Sequence, residues 1–115
     1  MHLINPIERF GSKLIGVQNP STYIGGEIGA IVKPHTNDIF FNTAIAFPDT
    51  YTIGMSNQAI KIIYQGLNKK KNIRCERVFC PDEDFEKLLK ETDTPLYTLE
   101  TGMPLNELDL LAFSI

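Results

Sequence analysis

The chain alternates short apolar runs with amphipathic stretches. Thr43 to Phe47 is a nearly continuous apolar run, the pattern of a strand buried on both faces of a parallel sheet. Residues 57 to 68 then place Ile60, Ile63, Tyr64 and Leu67 on one helical stripe. Asn68 ends this helix with Lys69-Lys70-Lys71, whose charges complement its dipole. Ile73 to Phe79 predicts a second strand. Pro81 opens another helix, with Asp82, Glu83 and Asp84 in the first turn where acidic side chains are favoured. Phe85, Leu88 and Leu89 form its apolar face, and Thr94-Pro95 stops it. Leu96 to Thr101 reads as an extra strand turned by Gly102 and Pro104, and Leu110 to Ile115 as a third parallel strand. Upstream, Ile7, Phe10 and Leu14 follow Pro6 at helical spacing and predict a short N-terminal helix ending near Gly16. Tyr23 to Glu27 and Gly29 to Lys33 predict two short strands with a glycine-rich join.

The order strand, helix, strand, helix, strand predicts an α/β fold: a partial doubly wound, Rossmann-like and flavodoxin-like parallel sheet. Residues 1–40 form its helix and hairpin extension, and residues 41–115 the first part of the α/β domain. Ile115 falls inside a predicted strand, so a chain truncated after its third strand, with an exposed edge, is the expectation.

Composition narrows the function classes. With 115 residues, 43% hydrophobic and 22% charged, the chain reads as one globular unit of ordinary type. A net charge of −3 argues against a general nucleic-acid surface. No apolar run approaches the ~20 residues of a membrane span, and Glu8 and Arg9 interrupt any signal-like start, so a cytoplasmic location is expected. Cys75 and Cys80 are the only cysteines, in a spacing that matches no zinc or redox motif, and both read as small packing residues. His2 and His35 are too few for a metal site.

The candidate chemistry sits in the turn between the first strand and its helix. Pro48, Asp49, Thr50, Tyr51, Gly54, Met55, Ser56 and Asn57 follow Phe47 where open α/β sheets bind ligands. Gly54 permits close backbone approach, and Ser56 and Asn57 are candidate caps whose helix start faces the same crevice. The plainer alternative is that Asp49 caps the turn and Tyr51 packs.

Two resemblances bear on these residues. The turn resembles that of flavodoxin-like cobalamin-binding domains, whose signature is Asp-x-His-x-x-Gly. Asp49 and Gly54 stand at that spacing, with Tyr51 at the position of the histidine that ligates cobalt. More extensively, Tyr23-Ile24-Gly25-Gly26-Glu27, Ala46-Phe47-Pro48-Asp49-Thr50-Tyr51, Gly54-Met55-Ser56-Asn57 and Glu76-Arg77-Val78-Phe79 resemble the N-terminal region of uncharacterised radical SAM proteins. Pro95-Leu96, Leu99-Glu100-Thr101-Gly102, Leu108-Asp109 and Phe113-Ser114 extend that likeness.

The resemblance implies an accessory domain that positions cobalamin or a substrate for a radical SAM catalytic domain in the same parent chain. S-adenosylmethionine and a [4Fe–4S] cluster would belong to that catalytic region, because the Cys-x3-Cys-x2-Cys triad is absent here. A phenol is a poor cobalt ligand at neutral pH, so a corrinoid would bind without an axial histidine. The alternative is a cofactor-free α/β interaction module. A nucleotide or flavin site is disfavoured by the missing Gly-x-Gly-x-x-Gly fingerprint.

Overall fold

In a computed structural model of the protein, residues 3–17, 30–33, 39, 41–47 and 58–113 are described. Three strands form a parallel sheet in the order β2-β1-β3, with β1 at Phe41–Phe47, β2 at Ile73–Phe79 and β3 at Leu110–Phe113. Thr43 pairs with Cys75 on one side and with Leu110 on the other. This register puts Thr43, Ile45, Cys75 and Arg77 on one face, and Ala44, Ala46, Glu76 and Val78 on the other, because side chains alternate along a strand. The central strand reverses the direction of strand addition, the arrangement of a doubly wound α/β fold.

Helix α1 spans Pro6–Phe10 and runs into a 3-10 turn over Gly11–Gly16, as the apolar spacing predicts. Asn5 caps it: its Oδ1 accepts from the amides of Ile7 and Glu8, two donors that the first turn would otherwise leave unpaired. Helix α2, Gln58–Asn68, lays Ile60 and Tyr64 against Ile45 and Cys75 of the sheet. Ile63, expected on the buried stripe, is instead 43% exposed, because Ile60, Tyr64 and Leu67 already fill the contact. Helix α3, Glu83–Glu91, begins two residues after Pro81, with Asp82 at the N-cap and Glu83, Asp84 and Glu86 in its first turn.

The apolar face of α3 builds a second core. Phe85, Leu88 and Leu89 pack with Phe10, Leu14, Val17, Ile4 and Tyr97. Phe85 meets Phe10 and Tyr97 edge to face, with ring centroids 5.5 and 6.4 Å apart. Arg9 secures the same junction, donating from Nε to the Thr94 hydroxyl and from its guanidinium to the Asp93 carbonyl.

Three expectations are corrected. Leu96 to Thr101 is not a strand. It is one arm of a tight turn that makes a single antiparallel bridge, Tyr97 to Pro104, because Gly102 adopts φ +75° and reverses the chain. Ala30–Lys33 is not part of a strand among the described residues; the Tyr64 and Arg74 side chains bind its backbone, and its expected partner Tyr23 to Glu27 lies outside the described residues. Cys80 is exposed rather than packed, lying just past the end of β2, whereas Cys75 is buried as expected.

Gly102 also explains how the N-terminus docks. The Ile4 amide donates to the Gly102 carbonyl at 2.6 Å, and a Cβ at position 102 would lie 1.9 Å from the Ile4 carbonyl oxygen. No helix among the described residues is long and apolar enough to cross a membrane.

Candidate functional site

The site begins with an anomaly on β2. A strand buried on both faces should be apolar, yet Arg74, Glu76 and Arg77 are all at least 95% buried. Such charges are stable only when each finds a partner. The Tyr97–Pro104 turn supplies those of Glu76 and Arg77, from opposite faces of the strand.

On the face opposite α2, the Glu76 carboxylate accepts from the hydroxyls of Thr98 at 2.6 Å and Thr101 at 2.7 Å. Arg74 Nε lies 3.5 Å from the same carboxylate. The Thr98 hydroxyl in turn accepts from the Met103 amide, so it serves the turn and the strand together. Arg74 reaches further, donating to the Asn42 side chain and to the Lys33 carbonyl.

On the α2 face, Glu100 is the hub. Its carboxylate accepts from the Arg77 amide at 2.8 Å, from Arg77 Nε at 2.6 Å and from the Tyr64 hydroxyl at 2.7 Å. The Arg77 guanidinium sits 4.6 Å from the centroid of the Tyr64 ring, an additional cation–π contact. Burial pushes Glu100 above the ordinary carboxylate range, outweighing the pull of Arg77 and the hydrogen bonds. Burial, followed by the Glu100 charge, likewise raises Tyr64, which stays a neutral phenol. Desolvation raises Cys75 too, which disfavours its thiolate.

These contacts close the outer edge of β2 residue by residue. The Ile73 amide donates to the Lys70 carbonyl, and its own carbonyl accepts from Lys33 Nζ. The Asn68 side-chain amide bonds both the N–H and the C=O of Cys75, imitating a neighbouring strand. Arg77 gives its N–H to Glu100 and receives the Leu99 amide at its carbonyl. The structure thus brings together Glu76-Arg77 and Leu99-Glu100-Thr101-Gly102, two stretches that carry the sequence resemblance. Their contact was not foreseen; the signal lay in three charges within one predicted buried strand.

The C-terminal ends of the strands are different in character. There Ala46, Val78, Phe79, Cys80, Pro81, Leu96, Leu105, Leu111 and Phe113 line an almost wholly apolar hollow of about 280 Å3. The positions expected to line this end of the sheet, Pro48, Asp49, Thr50, Tyr51, Gly54, Met55, Ser56 and Asn57, lie outside the described residues, as do Tyr23 to Gly29 and both histidines. Among the described residues no cluster of three His, Cys, Asp or Glu is placed to hold a metal ion. Cys75 inside β2 and Cys80 beyond it, the only two cysteines, do not fit a [4Fe–4S] cluster, which takes three or four thiolates.

No curated protein and no solved structure matches the chain. A family described as radical SAM proteins, N-terminal, matches residues 59–115, which include α2, β2, α3, the Tyr97–Pro104 turn and β3. From α2 onward, the chain therefore carries the sequence pattern of the N-terminal region of radical SAM proteins.

Proposed function

We propose that this chain serves a radical SAM protein as an accessory α/β domain, without catalytic chemistry of its own, that holds a cofactor or substrate at the C-terminal ends of its strands. The observation that carries the proposal is the apolar hollow at those ends, whose lining residues other than Ala46 lie in the stretch similar to radical SAM N-terminal regions. Open α/β sheets bind ligands at this edge. Val78 and Phe79 come from the strand beside β1, while Leu111 and Phe113 come from the other neighbour, so the hollow straddles the point where strand order reverses.

The ligand class proposed is a corrinoid, on the likeness of the Asp49–Gly54 turn to cobalamin-binding domains. The residues between Pro48 and Asn57 would hold its polar arms, with Gly54 giving close approach and Tyr51 stacking rather than coordinating. S-adenosylmethionine and the [4Fe–4S] cluster belong to the catalytic domain of the parent chain, since this donor set does not fit the cluster.

Titration with cobalamin, followed by visible absorption, tests the corrinoid reading. A saturable spectral shift supports it. An unchanged spectrum with folded protein rejects corrinoid binding and leaves the accessory role to be tested separately.

A cofactor-free interaction module is the second reading, favoured by one observation. Leu110 and Phe113 on β3 are 50% and 63% exposed, an apolar edge suited to contact with another domain. This reading expects the chain to associate with a separately produced radical SAM catalytic domain. Absence of association at micromolar concentrations would count against it.

A further inference from the structure

The Tyr64 hydroxyl has more possible partners than one proton can serve. It accepts from the Ile31 amide at 2.6 Å. As a donor it faces two acceptors, the Glu100 carboxylate at 2.7 Å and the Ile31 carbonyl at 3.3 Å. With Glu100 ionised, the carboxylate is the stronger acceptor and takes the proton. The Ile31 carbonyl is then left with the weaker share.

From this geometry we propose that Tyr64 and Glu100 form a hydrogen-bond switch that sets how firmly the Ala30–Lys33 strap is held on α2. The step balances within the groups present. A proton from water bonds to Glu100 Oε2, which turns from acceptor into donor toward the Tyr64 oxygen. The phenol keeps its own proton and rotates it to the Ile31 carbonyl. Tyr64 then accepts twice, from the Ile31 amide and the Glu100 carboxyl, and donates once, which satisfies its full hydrogen-bonding capacity. Glu100 Oε1 continues to accept from the Arg77 amide, and the Oε2 hydroxyl retains a lone pair for Arg77 Nε. Ile31 gains a second bond to the same hydroxyl, at its carbonyl. The strap is therefore tighter when Glu100 is protonated.

The surroundings favour a switch of this kind. Arg77 and Cys75 face Glu100 from β2, and Tyr64 faces it from α2. Glu76 and Arg74 lie on the opposite face of the same strand. From the strap, Lys33 turns away and donates to the carbonyls of Lys70 and Ile73. The Glu100 side chain is fully buried, and the residue borders a hollow with Asn5, Tyr97, Thr101 and Gly102. Burial favours its neutral form.

Residue-resolved amide exchange of Ile31 between pH 4.5 and 8, corrected for the intrinsic pH dependence of exchange, tests the switch in the full chain. Protection of Ile31 is expected to rise roughly two- to tenfold as pH falls through the Glu100 titration, the range expected for one added hydrogen bond. The change should be absent in Glu100→Gln. Over the same range the Tyr64 ring carbon bearing the hydroxyl should shift in its NMR resonance as the proton changes partner, a readout independent of the variant's folding. Ile31 protection and a Tyr64 resonance that are both flat with pH would overturn the proposal, and so would an unchanged pH profile in folded Glu100→Gln.

Discussion

The two outer strands of the sheet are finished in opposite ways. The edge of β2 is closed largely by side chains: Asn68 imitates a strand opposite Cys75, Glu100 with the Leu99 amide does so opposite Arg77, and Lys33 covers the Ile73 carbonyl. Three buried charges are tolerated there because each is answered from the Tyr97–Pro104 turn or from a neighbouring segment. No described strand lies beyond β3, and three of its four residues are exposed, Leu110 and Phe113 by half or more. An open apolar edge is a template for further pairing, and a plugged edge prevents it. Among the described residues, β2 is the closed edge and β3 the open one.

The sharpest way to break that contrast is Glu100→Ala, which strips three donors of their acceptor and leaves Arg77 buried without its carboxylate. A loss of about 3–5 kcal/mol in chemical denaturation is expected. The matching change on the open edge, Leu110→Ala, should cost less than about 1 kcal/mol. Gly102→Ala forces a side chain into a positive-φ position against the Ile4 carbonyl. It should cost about 1–3 kcal/mol and speed proteolysis before α1. Asn68→Ala leaves both backbone groups of Cys75 unpaired, for about 1–3 kcal/mol by thermal unfolding.

A pH series sharpens the same comparison. Because burial raises the Glu100 pKa in the folded state, its contribution to stability is fullest below the ordinary carboxylate value. That contribution is lost as pH rises through the raised folded value. The stability of wild type relative to Glu100→Gln should therefore fall from pH 4 to pH 7, as read by Tm. The smallest effect belongs to Leu110→Lys: stability within about 0.5 kcal/mol of wild type, but reduced self-association in light scattering.

Much of this architecture was legible in the sequence. The apolar run at Thr43–Phe47 and the 3.6-residue spacing in α2 and α3 located their elements to within a residue or two, since burial of one face dictates both patterns. The apolar spacing after Pro6 found α1 for the same reason. The Leu96–Thr101 segment failed because its residues suit a strand, while its conformation is set by Gly102 and by distant carboxylates. The Glu76–Thr98–Thr101 and Glu100–Arg77–Tyr64 groups were illegible for a related reason: they join residues 22 to 36 positions apart, and periodicity carries no information about such pairs. Their trace in the sequence was the unusual charge density of Arg74-Cys75-Glu76-Arg77, which a two-sided buried strand should not carry unless something pairs with it.

Residue-resolved hydrogen exchange of the whole chain tests the contrast between the edges most directly. The amides of Cys75 and Arg77, bonded only to side chains, should exchange no faster than the slowest core amides, through global unfolding. Amides of β3 that point away from β1 should exchange orders of magnitude sooner. Comparable rates at the two edges, with Cys75 and Arg77 opening as readily as β3, would contradict the closure of β2 by its side-chain plugs.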